Sequence, residues 1–156
     1  MKKIFPYIVV ALLSACAMSP DVTQGERVGS DAIVIARFNI LPANSPVLVK
    51  VSQTPLFGPV GSFKVENGNS LAVTTLMPGR YNWGDILNVR YTRPIDASGV
   101  LPPFEAKSGC ISYIGDVTLD FSGPRARVFI EQPSSSTLDE FASQYPKLFA
   151  AHAVCK

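Results

Sequence analysis

The chain has 156 residues, with 14 Lys and Arg against 12 Asp and Glu, one His and three Cys. That length suits one domain able to bury its own core, and a formal charge of +2 leaves no basic footprint of the kind nucleic acid requires. A single histidine, with no Gly-x-Ser-x-Gly elbow, Walker-type phosphate loop or His-Glu-x-x-His pair, removes the common hydrolase, nucleotide and zinc-peptidase signatures.

The chain opens on Lys2 and Lys3, followed by an apolar run from Ile4 to Leu13. Such a run is too short to cross a hydrocarbon core of about 30 Å as a helix, and it has the size of a signal-peptide core, so residues 1–15 are read as a signal peptide. Leu13-Ser14-Ala15-Cys16 resembles the lipobox of bacterial lipoproteins: a branched apolar residue and two small ones before a cysteine. The resemblance implies cleavage before Cys16, a thioether from its sulfur to diacylglycerol, and acylation of the new amino terminus. At about 0.8 kcal/mol per buried methylene, two or three long chains make attachment effectively permanent. The alternative is an ordinary secretory signal in which Cys16 is an incidental thiol. Ala17 and Met18 stand where enterobacterial lipoproteins retained in the inner membrane carry aspartate. The resemblance therefore implies the inner leaflet of the outer membrane in a Gram-negative host, facing the periplasm.

Without residues 1–15 the chain loses Lys2 and Lys3 and becomes neutral, with no polybasic stretch for anionic lipid. Residues 16–30 are small and polar without an apolar period, which reads as a lipidated amino terminus and flexible tether. From Asp31 short β-branched runs alternate with Pro, Gly and Asn clusters, the texture of an all-β domain spanning residues 31–156.

Strands are expected at Ala32 to Ile40, Val47 to Gln53, Ser62 to Glu66, Ser70 to Met77, Tyr81 to Thr92, Phe104 to Lys107, Cys110 to Phe121 and Arg125 to Glu131. Val47, Val49 and Val51 alternate with Leu48, Lys50 and Ser52, which marks a strand with one buried face. The clearest alternation sets Ile111, Tyr113, Gly115, Val117, Leu119 and Phe121 against Ser112, Ile114, Asp116, Thr118 and Asp120, which predicts a central strand. Asn67-Gly68, Pro78-Gly79 and Ser122-Gly123-Pro124 read as hairpin-like turns, and hairpins build antiparallel sheets. Gly115-Asp116 allows a bulge or a close backbone contact within a strand.

The carboxy-terminal stretch changes period. Thr137-Leu138-Asp139-Glu140 has the spacing of a capping box, and Leu138, Phe141, Tyr145, Leu148, Phe149 and His152 recur at helical intervals. Pro146 disfavours helical geometry at Tyr145, which predicts a kink or two short helices. With Cys16 lipidated, Cys110 and Cys155 remain as a pair in an oxidising compartment. Joined, they would close a long loop worth about 4 kcal/mol and tie the helix to the central strand. The alternative is two buried free thiols. Two cysteines and His152 do not make a zinc set at familiar spacing, and no metal or other cofactor is expected.

Two further stretches carry a resemblance. Leu76-Met77-Pro78-Gly79-Arg80-Tyr81 looks like the turn of transthyretin-like (prealbumin-like) and carboxypeptidase-regulatory-type sandwiches. Ser108-Gly109-Cys110-Ile111-Ser112-Tyr113-Ile114-Gly115-Asp116-Val117-Thr118-Leu119 is similar to a strand of uncharacterised bacterial envelope lipoproteins. The implied fold is mainly β, an antiparallel sandwich of transthyretin or immunoglobulin-like type with a carboxy-terminal helix, and the resemblance brings no catalytic residues. Ser45-Pro46-Val47-Leu48-Val49-Lys50-Val51 is similar to the early strand of the type VI secretion lipoprotein, although Gln53 to Pro59 form a proline-rich loop where that family carries a helical insertion.

These features point to a non-enzymatic envelope module that binds a protein partner or supports assembly. A secretion-system accessory is a sharper version of it. The rivals are a glycan-directed hydrolase using carboxylates from separate strands and a lipoprotein that binds a small ligand. Tyr81, Trp83 and Tyr91 could contact a ligand or partner if solvent-exposed, although burial in the core is the simpler expectation. Asp116 and Asp120 lie about 13 Å apart along one strand by its rise, too far to share a proton. Asp85 and Asp96 could contribute to a cation site, and His152 reads as a helix-end residue.

Overall fold

The computed structural model describes residues 31–43, 46–54, 60–66, 68–88 and 94–156. The strands are β1 (Ala32–Leu41), β2 (Val47–Gln53), β3 (Val60–Val65), β4 (Asn69–Leu76), β5 (Gly79–Asn88), β6 (Ile95–Asp96), β7 (Phe104–Ala106), β8 (Ile111–Asp120) and β9 (Arg127–Glu131); the helices are α1 (Ser135–Gln144) and α2 (Pro146–Ala151). One sheet runs β4-β1-β8-β9 and the other β3-β2-β5-β6, with β7 also on β5. The mainly β sandwich with short carboxy-terminal helices agrees with the expected class. Every strand pair is antiparallel except β1 with β8, which run parallel at the centre of their sheet.

That parallel pair follows from what the turns do. Of the three turns expected to be hairpin-like, only Ser122-Gly123-Pro124 closes a hairpin, β8 to β9. The segment around Gly68 and the turn at Pro78-Gly79 instead carry the chain between sheets, because β3 and β5 belong to one sheet and β4 to the other. A short turn therefore makes a corner of the sandwich wherever the apolar faces of successive strands meet across the core.

Between the sheets, alternate residues of β1 (Ala32, Val34, Ala36, Phe38, Ile40) and β2 (Val47, Val49, Val51) meet Phe63, Trp83, Ile86, Val117 and Leu119. The other face of β1 is buried as well, since Ile33 and Ile35 join Ile111, Phe141 and Leu148 in a second core beneath the helices. β1 is thus covered on both sides over its first half, which explains its nearly unbroken apolar run.

A bulge in β8 divides these two cores. Ile35 pairs with Tyr113 and Arg37 with Asp116, so Ala36 faces two residues, Ile114 and Gly115. The extra residue reverses the phase of the strand. Ile111 and Tyr113 consequently point to the helices, while Val117, Leu119 and Phe121 point into the sandwich. The single face expected from Ile111 to Phe121 is in fact two faces joined at Gly115. That residue has φ +121°, and a Cβ there would stand 2.6 Å from the Glu131 carbonyl oxygen, a position that favours glycine.

The helices begin earlier than expected. Ser134, extended at φ −102° and ψ 147°, is the N-cap, and its hydroxyl accepts from the Thr137 amide. Thr137 itself is buried inside the first turn, and its hydroxyl donates to Asp116 at 3.1 Å. Its side chain is therefore committed to β8 and does not cap. Tyr145 takes φ −124° ahead of Pro146 and separates α1 from α2, with Pro146 in the first turn of α2. This is the two-helix outcome that the pre-proline restriction predicts.

Candidate functional site

Cys110 and Cys155 are joined, with Cα atoms 5.3 Å apart. The bridge lies beside a short parallel contact in which the Ile111 amide donates to the Ala153 carbonyl at 2.8 Å and the Cys155 amide to the Ile111 carbonyl at 2.9 Å. Lys107 Nζ donates to the Lys156 carbonyl at 3.0 Å. The tail after α2 is held to the start of β8 by a covalent bond and a set of backbone and side-chain hydrogen bonds. The described chain enters the domain at this same end, because Ala32 pairs with Leu76 and Ile33 with Ile111.

Tyr81 and Trp83, weighed from the sequence as contact residues, are each 1% exposed. Tyr81 stacks on Phe104 at 5.6 Å and its hydroxyl donates to the Met77 carbonyl at 2.9 Å. Burial, with the negative charge of Asp31 nearby, holds its phenol above the usual tyrosine range. The Trp83 indole N–H donates to the Pro102 carbonyl at 2.9 Å, and its ring packs against Phe63 and Phe104. Neither ring is available to a sugar or a partner, because burial with a satisfied polar tip stabilises both in the core. Tyr91 and the lipidation candidate Cys16 lie outside the described residues.

Asp85 and Asp96 are brought together. They are direct cross-strand partners on β5 and β6, which places their Cβ atoms about 4.5–5.5 Å apart. With Lys50, Asn82, Ser98 and Gly84 they line a depression of about 530 Å³ on the outer face of the second sheet. A bulge makes the room, since Val49 pairs with Ile86 and Val51 with Trp83, leaving Gly84 and Asp85 opposite Lys50. The Ser98 hydroxyl and amide hold the Asp96 carboxyl below its usual range, so it is an anion at neutral pH. Among the described residues no three His, Cys, Asp or Glu side chains are grouped to hold a metal ion.

Asp116 and Asp120 serve the fold separately. Asp116 accepts from the Tyr113 hydroxyl and from Thr137, locking α1 onto β8. Burial first, and then the bond to Asp116, raise the Tyr113 phenol above its usual range. Asp120 accepts from the Ser122 amide at 2.9 Å and from its hydroxyl, and from Arg127 Nη2 at 2.6 Å. The Ser122 bonds chiefly, with Arg127, hold its carboxyl below the usual range and close the β8–β9 hairpin. His152 ends α2, its amide donating to the Leu148 carbonyl.

Two surface features were not anticipated. A mainly apolar depression of about 380 Å³, lined by Pro46, Val47, Leu48, Val65 and Leu87 together with Lys64 and Asn88, lies at the end of the sandwich opposite the disulfide. Phe129, on the outer face of the edge strand β9, is 46% exposed. The second had a visible signal: Phe129 stands out of phase with Val128 and Ile130, which face the core. The first had none, because it is assembled from three strands.

No family model matches the chain, and no curated protein matches it. Among solved structures it is similar to a protein described as a putative cell adhesion protein from Bacteroides ovatus ATCC 8483, with 15% identity and a TM-score of 0.36. The alignment covers 66% of this chain and 44% of that one, so the chain spans less than half the length of that structure. No described helix is long and apolar enough to cross a membrane.

Proposed function

We propose that the chain is a lipid-anchored envelope lipoprotein whose sandwich is a non-enzymatic binding or assembly module facing the periplasm from the outer membrane. The observation that carries this reading is the assignment of the cysteines. Cys110 and Cys155 use each other, which leaves Cys16, at the end of Leu13-Ser14-Ala15-Cys16, as the thiol for the lipid. The chain enters the domain at the disulfide end, so that end lies toward the membrane and the apolar depression at the far end faces an envelope partner. A secretion-system accessory is one form of such a module; only six residues separate β2 from β3, too few for the helical insertion of the secretion lipoprotein. Feeding cells an alkyne-bearing palmitate tests the anchor. The wild-type chain should take up label and sediment with membranes, and Cys16→Ser should do neither; equal labelling of both chains would defeat the proposal.

One observation favours a second reading, a glycan-directed hydrolase: Asp85 and Asp96 line a common depression. Such a hydrolase needs one carboxyl group as proton donor and a second as base or nucleophile. Release of reducing ends from purified cell-wall glycan, abolished by Asp85→Asn, would establish it. No release by the wild-type chain would end it.

A further inference from the structure

We propose that β9 is a self-recognition edge, on which a second copy of this chain adds its own β9 antiparallel and extends the sheet across a two-fold axis. The inference rests on β9 alone and stands whether or not Cys16 carries lipid.

β9 is the outermost strand of its sheet, and it lacks the protections of the other edges. β4 lies against β3, with the Thr74 hydroxyl donating to the Ser62 carbonyl. β6 and β7 are two and three residues long and follow Pro94 and Pro103. β9 carries no Pro, Gly or Lys and presents an exposed phenylalanine, features that leave an edge open to strand addition.

The order of its side chains selects the partner. In Arg127-Val128-Phe129-Ile130-Glu131, antiparallel pairing centred on Phe129 sets Arg127 opposite Glu131 of the second copy, Phe129 opposite Phe129 and Glu131 opposite Arg127. Val128 then meets Ile130 on the inner face, continuing the apolar layer. Every cross-strand pair is complementary, as an isologous contact requires. Within one copy the charges are less balanced: Glu131 is the cross-strand partner of Asp116, a repulsive neighbour, and has no ion-pair partner among the described residues. The second copy supplies a cation there. Arg127 already holds Asp120, yet its side chain is 72% exposed and its fork of donors can bridge two carboxylates.

The test uses the full chain, purified in mild detergent, carrying Phe129→Cys. Oxidation should give a disulfide-linked dimer on a non-reducing gel. Asn39→Cys is the control: it is exposed on the same face but two strands further in, about 24 Å from its counterpart in the paired sheet, and should give only collisional background. Adding Arg127→Glu or Glu131→Arg to Phe129→Cys should each lower the yield about five- to tenfold, since each alone sets like charges opposite at both ends. Mixing the two charge variants should restore the yield, because every facing pair is then opposite in sign. Glu131→Arg leaves the Asp120 bond intact and guards against a mere folding defect. No dimer from Phe129→Cys, a yield indifferent to the charge variants, or no recovery on mixing would each overturn the proposal. So would capture of a different protein in place of the dimer when the same variant is oxidised in cells.

Discussion

The two halves of β8 are built for different tasks. Before Gly115, Ile111 and Tyr113 lie under two helices, beside a disulfide and a pinned tail. After it, Val117 and Leu119 fill the sandwich, and the strand's outer neighbour is the five-residue β9. A one-residue bulge lets a single strand contribute to two apolar cores, and the first half is reinforced covalently where the second is held by strand pairing and packing alone.

If the helical layer is a true second core, truncating its centre should be the most damaging single change. Phe141 is fully buried, with its ring 5.9 Å from that of Tyr113 and 6.2 Å from that of Tyr145. Phe141→Ala is expected to cost about 3–5 kcal/mol in urea unfolding. A loss below about 1 kcal/mol would mean that the helices merely decorate the sheet.

The covalent reinforcement comes next. Cys110→Ser or Cys155→Ser should lower stability by about 2–5 kcal/mol, and hydrogen exchange should show the loss concentrated at residues 111–113 and 152–156 before the β8–β9 hairpin responds. Equal loss of protection in both halves would erase the distinction between them.

The junction itself can be blocked. Gly115→Ala places a side chain at φ +121° and within 2.6 Å of a backbone oxygen, at an expected cost of about 1–3 kcal/mol for the backbone conformation before the clash is counted. An unchanged unfolding midpoint would show that the bulge is not required.

Much of this was legible in the sequence, and the misreadings share a cause. The Val47, Val49, Val51 alternation located β2 without error, because a strand with one buried face has only one period to obey. β1 and β8 are harder, since both faces are buried over part of their length and periodicity fades. Within β8 the residues on either side of Gly115 each alternate correctly, but the phase change depends on which strand lies alongside. The corner turns at Gly68 and Gly79 looked like hairpins because turn chemistry does not record which sheet receives the next strand. Thr137 matched a capping pattern, yet its hydroxyl is drawn to Asp116, a partner 21 positions away. The cysteine pair was readable from parity, while the meeting of Asp85 with Asp96 was not, because β6 is only two residues long.

The smallest effect expected is a difference in pH response. Tyr113, in the first half, has its phenol raised by burial and Asp116, and Tyr81 is raised as well. The folded state therefore keeps these protons when the unfolded chain has lost them, and the stability they contribute is present below about pH 10 and lost as pH rises beyond it. Asp120, in the second half, is lowered by Ser122 and Arg127; its contribution is present above the usual carboxylate range and lost as pH falls through and below it. Tyr113→Phe should flatten the alkaline limb of the stability profile and Asp120→Asn the acid limb. Exchange of those two outcomes would contradict the assignment.

The most direct test of the account is the intact mass of the chain extracted from membranes, measured with and without reduction and alkylation. The expected species begins at Cys16, carries the mass of a diacylglycerol thioether and an added acyl chain, and takes up alkylating reagent at two positions only after reduction. A chain that still holds residues 1–15, or one whose Cys16 alkylates without reduction, would contradict the account.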